Sequence, residues 1–315
     1  MLSRTAEALF WIGRYVERAE DTARLLDVHI HDLIADPEVN EGETCKTVAT
    51  VMGLHEHGPV TAREVLDTLA YDSANACSIV GSLGAAHHNA RGVREAISAE
   101  IWECLNTTDL ELPHRLATAR RFGPAPFFAY VRERAAMLAG YVATTISRDA
   151  GYDFLVLGRS IERVDMTARL LAAAVGAPRY DGTWVTTLHA CSAHEAYLRT
   201  YQRGVEPQLV LDFLLLDPLF PRSLIHALMT VEETLSRVEP RAPRNGHGHG
   251  DDGARRTIGR VLANLRALQL DRHFEGLPER LHRIERDMSE VSDMIARSYF
   301  ETAPVVGWNL EESPP

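Results

Sequence analysis

The chain has 315 residues with 33 basic against 44 acidic side chains, a net charge of −11 and 45% hydrophobic residues. That is ample for a large core, and an acidic balance without any basic run excludes a nucleic-acid footprint. Lys46 is the one lysine, and it sits in EGETCKT with no glycine loop around it, so neither a P-loop nor a Schiff-base lysine is expected.

Helical periodicity opens the chain. Leu9, Ile12, Val16, Ala19, Ala23, Leu26, Ile30 and Leu33 alternate three- and four-residue steps, an apolar seam that Asp36-Pro37 closes. Short helices are expected near 43–53 and 61–71, and a long one from 74 to 107 that ends at Asn106-Thr-Thr-Asp109. A helix over 126–149 leads into a second seam of Leu157, Ile161, Val164, Ala168, Leu171 and Val175, closed by Gly176-Ala-Pro178. Further helices are expected near 185–203, 206–216, 221–237, 254–269 and 277–300, with a Gly/Pro-rich linker at 240–253 and a tail at 301–315. No alternating strand pattern occurs, so the fold class is all-α.

Cys45, Cys77, Cys104 and Cys191 have no CxxC spacing and read as reduced thiols. Arg4, Glu7 and Arg14 interrupt any apolar leader, and Asp212 and Asp217 break the most apolar stretch. A soluble, cytoplasmic protein that does not enter membranes is expected. No metal or other cofactor is expected either: Glu279–His282 is the one Glu-x-x-His, and His247 and His249 lie in the linker. His194-Glu195 is a weak acid–base pair.

The chain also repeats itself. GRYVERAEDTARLL (13–26) returns as GRSIERVDMTARLL (158–171), nine of fourteen positions identical at an offset of 145. The same offset carries VLDTLAYD (65–72) onto VLDFLLLD (210–217) and Ser78 onto Ser223. Two matches in one register read as a duplicated half. The expectation is one bundle of two repeats, 1–145 and 146–300, in a pseudo-twofold relation. A glycine inside a helix costs about 1 kcal/mol against alanine, so Gly13 and Gly158 are expected where the two repeated helices approach closely.

Three constellations could carry chemistry. Arg14, Glu17, Arg18 and Glu20 recur as Arg159, Glu162, Arg163 and Asp165. They read either as a solvated face of weak ion pairs or as a buried Arg/Glu array between the halves. In the second reading Arg14, Arg18, Arg159 and Arg163 bind carboxylate or phosphate, and Glu17 and Glu162 are the candidate catalytic groups. On the expected long helix, Arg91, Arg94, Glu95, Ser98 and Trp102 share a stripe, with Asn89 beside it, as anion contacts or as a polar layer between helices. Finally, Asp217 and Ser223 fit helix capping, which leaves Arg222 beside an N-terminus that already attracts anions.

The opening MLSRTAEALFWIGRYVERAEDTARLLD, with NARGVREAISAEIWECLN, SRDAGYDFLVLGRSIERVDMTARLL and DFLLLDPLFPRSL, resembles the alpha-E domain family over essentially the whole chain. The resemblance implies a bacterial, all-helical protein that works beside a circularly permuted ATP-grasp protein, often with a transglutaminase-like protein, in peptide ligation or modification. The family's charged signature falls on Arg14, Glu17, Arg18, Glu20, Arg159, Glu162, Arg163, Asn89, Arg91, Arg94, Glu95, Asp217 and Arg222. His87-His88 stand where the family's arginine-glutamate is expected. The function expected is a component of such a system that binds a carboxylate- or phosphate-bearing peptide through the array. The alternatives are a non-catalytic helical scaffold docking the ATP-grasp partner, or a stand-alone peptide-acting transferase or hydrolase.

Overall fold

The computed structural model describes residues 1–35, 39–54, 61–177, 182–238, 253–268 and 274–300, and among them every regular element is helical. The chain runs through α1 (Ser3–Ala35), α2 (Glu41–Val51), α3 (Ala62–Val65), α4 (Ile79–Gly92), α5 (Ala99–Phe122), α6 (Ala125–Thr145) and α7 (Ala150–Gly176). There follow α8 (Thr183–Ala190), α9 (His194–Tyr201), α10 (Pro207–Leu216), α11 (Leu224–Val238), α12 (Gly253–Arg266) and α13 (Leu277–Ile295). The wider π-turns Leu66–Tyr71 and Ala296–Phe300 extend α3 and α13. Asp36-Pro37, Pro178, the linker from 240 to 252 and the tail 301–315 lie outside the described residues.

Two long helices organise the rest. α1 packs along α7, α4 and α6 flank α1, and α11 and α13 flank α7. Both seams supply the centre: Leu9, Ile12, Ala19, Ala23, Leu26, Leu157, Ile161, Val164, Ala168 and Leu171 are fully buried. Each of the aliphatic side chains among them contributes about 1.5–3 kcal/mol by leaving water. Ile30, Leu33 and Val175, at the far ends of the seams, are only half-buried.

Helix starts follow local chemistry. The Asn40 side chain caps Glu43 N, and Thr61 and Glu64 form a capping box. Ser78 caps Gly81 N, Ser98 caps Ile101 N, and Asp149 caps Gly151 and Tyr152 N. Each such cap contributes about 1 kcal/mol.

The expected long helix from 74 to 107 is corrected. It breaks after Gly92 into a short 3₁₀ turn, Arg94–Ala96, and restarts at the Ser98 cap. There the Ser98 hydroxyl bonds Thr145 Oγ1 at 2.7 Å, so a tertiary contact helps hold the cap. Nor do Asn106–Asp109 end it, since α5 continues to Phe122 through Pro113. Thr108 turns its hydroxyl onto Cys104 O, and Arg134 of α6 donates to both Thr108 Oγ1 and Cys104 O. The polar run is satisfied from a neighbouring helix and has no need to leave the helical conformation. The expected helix at 185–203 is likewise two, α8 and α9, separated at Ser192 with φ +50°.

Candidate functional site

Gly13 and Gly158 lie where α1 and α7 cross. A Cβ on Gly13 would stand 2.2 Å from Leu155 O, and one on Gly158 2.0 Å from Phe10 O. The backbones touch directly, a spacing that no other residue type allows. One turn beyond each glycine, a glutamate from one helix enters arginines associated with the other.

Glu162 of α7 accepts from Arg14 Nε at 2.6 Å, Arg18 Nε at 2.6 Å and Arg18 Nη2 at 3.1 Å. Arg14 also donates to Ser292 Oγ of α13 at 3.0 Å. Trp11 and Tyr15 stack on one another, with the Arg14 and Arg18 guanidinium groups against their rings at 5.5 and 5.7 Å. In the opposite sense, Glu17 of α1 accepts from Arg163 Nε at 2.6 Å and Nη2 at 2.9 Å. Arg222 Nη1 adds a third donor to Glu17 at 3.2 Å. Both glutamates are at most 2% exposed, so these are charge-assisted pairs in a poorly hydrated interior.

Arg222 connects the second cluster further, reaching Asp21 Oδ1 at 2.5 Å and Glu20 Oε1 at 2.7 Å. Arg24 closes on Glu20 at 2.6 Å and on Ser192 Oγ. The turn that presents Arg222 is fixed by Asp217, whose carboxylate accepts from Leu219 and Phe220 N. Asp217 O accepts the Ser223 hydroxyl at 2.5 Å, while Ser223 Oγ caps His226 N. Asp217 thus shapes the backbone beside the array without joining it.

The field within the array is uneven. Burial alone would push Glu17 up, but Arg163 and Arg222 outweigh it and hold the carboxyl at about 2. For Glu162 burial is again opposed by Arg14 and Arg18, and the carboxyl stays below the usual range. Asp21 goes the other way: burial, reinforced by Glu17 and Glu20 and only partly offset by Arg222, lifts it to about 7. Asp165 pairs with Arg169 at 3.0 Å, yet burial raises it too, and its Oδ1 has no partner.

Arg159 differs from the other arginines. Its Nε is buried without a hydrogen-bond partner. Burial and the adjacent Arg163 lower its pKa, with Glu17 pulling back only in part. It lines a cavity of about 50 Å³ between α1, α6 and α7, with Arg163 on the same wall.

The stripe expected on one long helix does not exist as such, because the helix breaks between Arg91 and Ser98. Asn89 Nδ2 bonds Ala85 O, Arg94 stacks over Trp102 at 4.4 Å, and Arg91 and Glu95 are exposed. His87 bonds Asp109 at 3.1 Å and lies against Trp102. His194 stacks on His189 at 4.4 Å. The Glu20–Arg24 pair expected at a spacing of four is present, whereas the sequence reading missed Asp21 as a titrating member, and Ser292. The last lies 278 positions from Arg14, and no local pattern announces such a contact.

Comparison with known proteins places this architecture. The chain belongs to the Alpha-E family, whose model, described as a predicted alpha-helical domain with a conserved ER motif, matches residues 1–300. It is also similar to uncharacterized proteins of Mycobacterium bovis and Mycobacterium tuberculosis, each 24% identical over 84% of this chain and 35% of the relative. The chain therefore spans about a third of the length of those curated relatives. No solved structure matches it. Among the described residues no helix is long and apolar enough to cross a membrane.

Proposed function

We propose that this chain is a non-catalytic helical component of an ATP-grasp-dependent peptide-modification system, with the Arg/Glu array as the lock that sets the geometry of its two central helices. The observation that carries this reading is the internal pairing of the array. Glu17 and Glu162 are each gripped bidentately by arginines of the same chain. A carboxylate held at about 2 is a poor proton carrier near neutral pH, because catalysis favours groups that titrate near the working pH. Arginines already committed to buried carboxylates offer few donors to a substrate. We take Glu17-Arg18 and Glu162-Arg163 as the family's Glu-Arg motif. Partnership with a circularly permuted ATP-grasp protein, and with a transglutaminase-like protein, follows the family resemblance, as does a peptide-directed role, while a cytoplasmic setting follows the reduced-thiol reading of the four cysteines.

The two halves are read as duplicates about a local twofold axis. Gly13 meets Leu155 O while Gly158 meets Phe10 O, and both pairs are related by the offset of 145 that relates the repeats. The first residues of α4 and α11 keep that offset, and so do those of α3 and α10. Such a relation suits a docking frame, since one lock serves both halves.

The test is reconstitution with a circularly permuted ATP-grasp protein and a peptide. ATP consumption and peptide modification should require both proteins, with none by this chain alone. Turnover by the purified chain without a partner would establish the stand-alone enzyme instead. Full activity of the ATP-grasp protein on the peptide without this chain would remove the component role.

A further inference from the structure

We infer that Arg159 forms the floor of a small carboxylate-binding site that adjoins the lock and is lined by α1, α6 and α7. The argument begins with what Arg159 lacks. Arg14, at the matching position of the first repeat, gives its Nε to Glu162. The corresponding partner for Arg159 would be Glu17. Arg222 and Arg163 occupy that carboxylate, and Arg222 has no counterpart in the first half, where Cys77 stands at the matching position. The second half thus carries one arginine more than its lock uses.

The Arg159 Nε–H is pressed out of water without an acceptor, and buried polar groups in proteins are ordinarily hydrogen-bonded. Here the excess charge faces space: the cavity of about 50 Å³ is bounded by Arg159 and Arg163 on one side and by Ala135, Ala139 and Val142 of α6 on the other. Glu17 and Glu20 also line the cavity but do not repel an incoming anion strongly, because Arg163 and Arg222 neutralise the first and Arg24 and Arg222 the second.

Size selects the ligand. A water-sized group needs about 10–15 Å³ of such space, so the cavity of about 50 Å³ holds about three to five, enough for the three heavy atoms of a carboxylate. A nucleotide or a phosphorylated sugar is too large to enter. The α6 wall of Ala135, Leu138, Ala139 and Val142 is apolar, and its two alanines leave room for the stem that carries a carboxylate. Such a group comes from a free small acid, a peptide C-terminus or an acidic side chain.

The site is independent of the assembly role and is tested on the full chain alone. The Nε–H resonance of Arg159, assigned by its disappearance in Arg159→Gln, is followed by ¹⁵N NMR during titration with sodium formate against sodium chloride of equal ionic strength. Saturable movement with formate is expected, and its loss in Ala139→Leu, which narrows the mouth but keeps the arginine. Competition by short peptides with free or amidated C-termini, with and without an aspartate, then separates the three sources. Formate that leaves the resonance unmoved overturns the site, and so does a response unchanged in Ala139→Leu. If Arg159→Gln fails to fold, Arg159→Lys, which keeps the charge but also removes the Nε–H, makes the assignment, and the Ala139→Leu comparison then decides.

Discussion

Replacing Gly158 by alanine tests the central claim that α1 and α7 are in backbone contact and that the lock depends on it. The new Cβ would stand 2.0 Å from Phe10 O and 2.9 Å from its carbon. Real Cβ atoms essentially never approach closer than 3.0 Å, so the helices must separate by about 1 Å. The atoms met are backbone and cannot swing aside, so the cost belongs to the overpacking class, about 1–3 kcal/mol. The same separation pulls on the Arg14–Glu162 and Arg163–Glu17 bonds, both 2.6 Å. Breaking one such buried pair costs about 3–5 kcal/mol. Alanine's helical preference returns about 1 kcal/mol. With one pair broken the net expected loss is about 3–7 kcal/mol, a large part of the ~5–15 kcal/mol that holds a typical domain together. The assay is urea unfolding followed by circular dichroism. Gly140→Ala is the control: its position on α6 has nothing within 4 Å, and it should gain about 1 kcal/mol. If Gly158→Ala is stabilised like Gly140→Ala, the close crossing is wrong.

Three further outcomes follow from the same geometry. Glu162→Gln strands Arg14 and Arg18 and should cost about 3–5 kcal/mol in denaturant unfolding; a loss under 1 kcal/mol would mean the array is wetted. Asp21, at about 7 folded against 3.8 as its ordinary value, binds more protons in the folded state between those limits. Its contribution to stability is therefore complete below about 3.8 and is lost as pH rises through about 7. The urea midpoint should fall from pH 5 to pH 8, and Asp21→Asn should flatten that slope; an unchanged slope refutes the assignment. Glu17 acts in the reverse sense, stabilising above its ordinary 4.5 and ceasing to do so as pH falls through about 2. Cys191 is pushed up to about 12 by burial, and Cys45 and Cys104 are buried. A thiol reagent at pH 8 should therefore label Cys77 first and the other three only on unfolding. Rapid native labelling of Cys191 would place it at the surface.

Much was legible without coordinates, for identifiable reasons. The seams of α1 and α7 are set by a period of three and four that only one buried face can satisfy, and Leu9, Ile12, Leu157 and Ile161 are accordingly at its centre. Gly13 and Gly158 advertised a close approach because a costly glycine stands at the same place in both copies of the repeated segment. Arg222 was visible as a cation beside a capped turn. Neither the break after Gly92 nor the continuation of α5 through Pro113 could be read locally. Ser98 finds Thr145, and the polar run at 106–109 finds Arg134, across tens of residues.

What the residues alone determined is the helical class, the two seams and the presence of matched Arg/Glu sets. Each of these depends on periodicity and spacing within one helix. Which arginine meets which glutamate was decided only when α1 and α7 packed. Charge is blind to sequence distance, and the pairings depend on which groups burial brings within about 3 Å. That selection filled Glu17 with Arg163 and Arg222, filled Glu162 with Arg14 and Arg18, and left Arg159 facing its cavity.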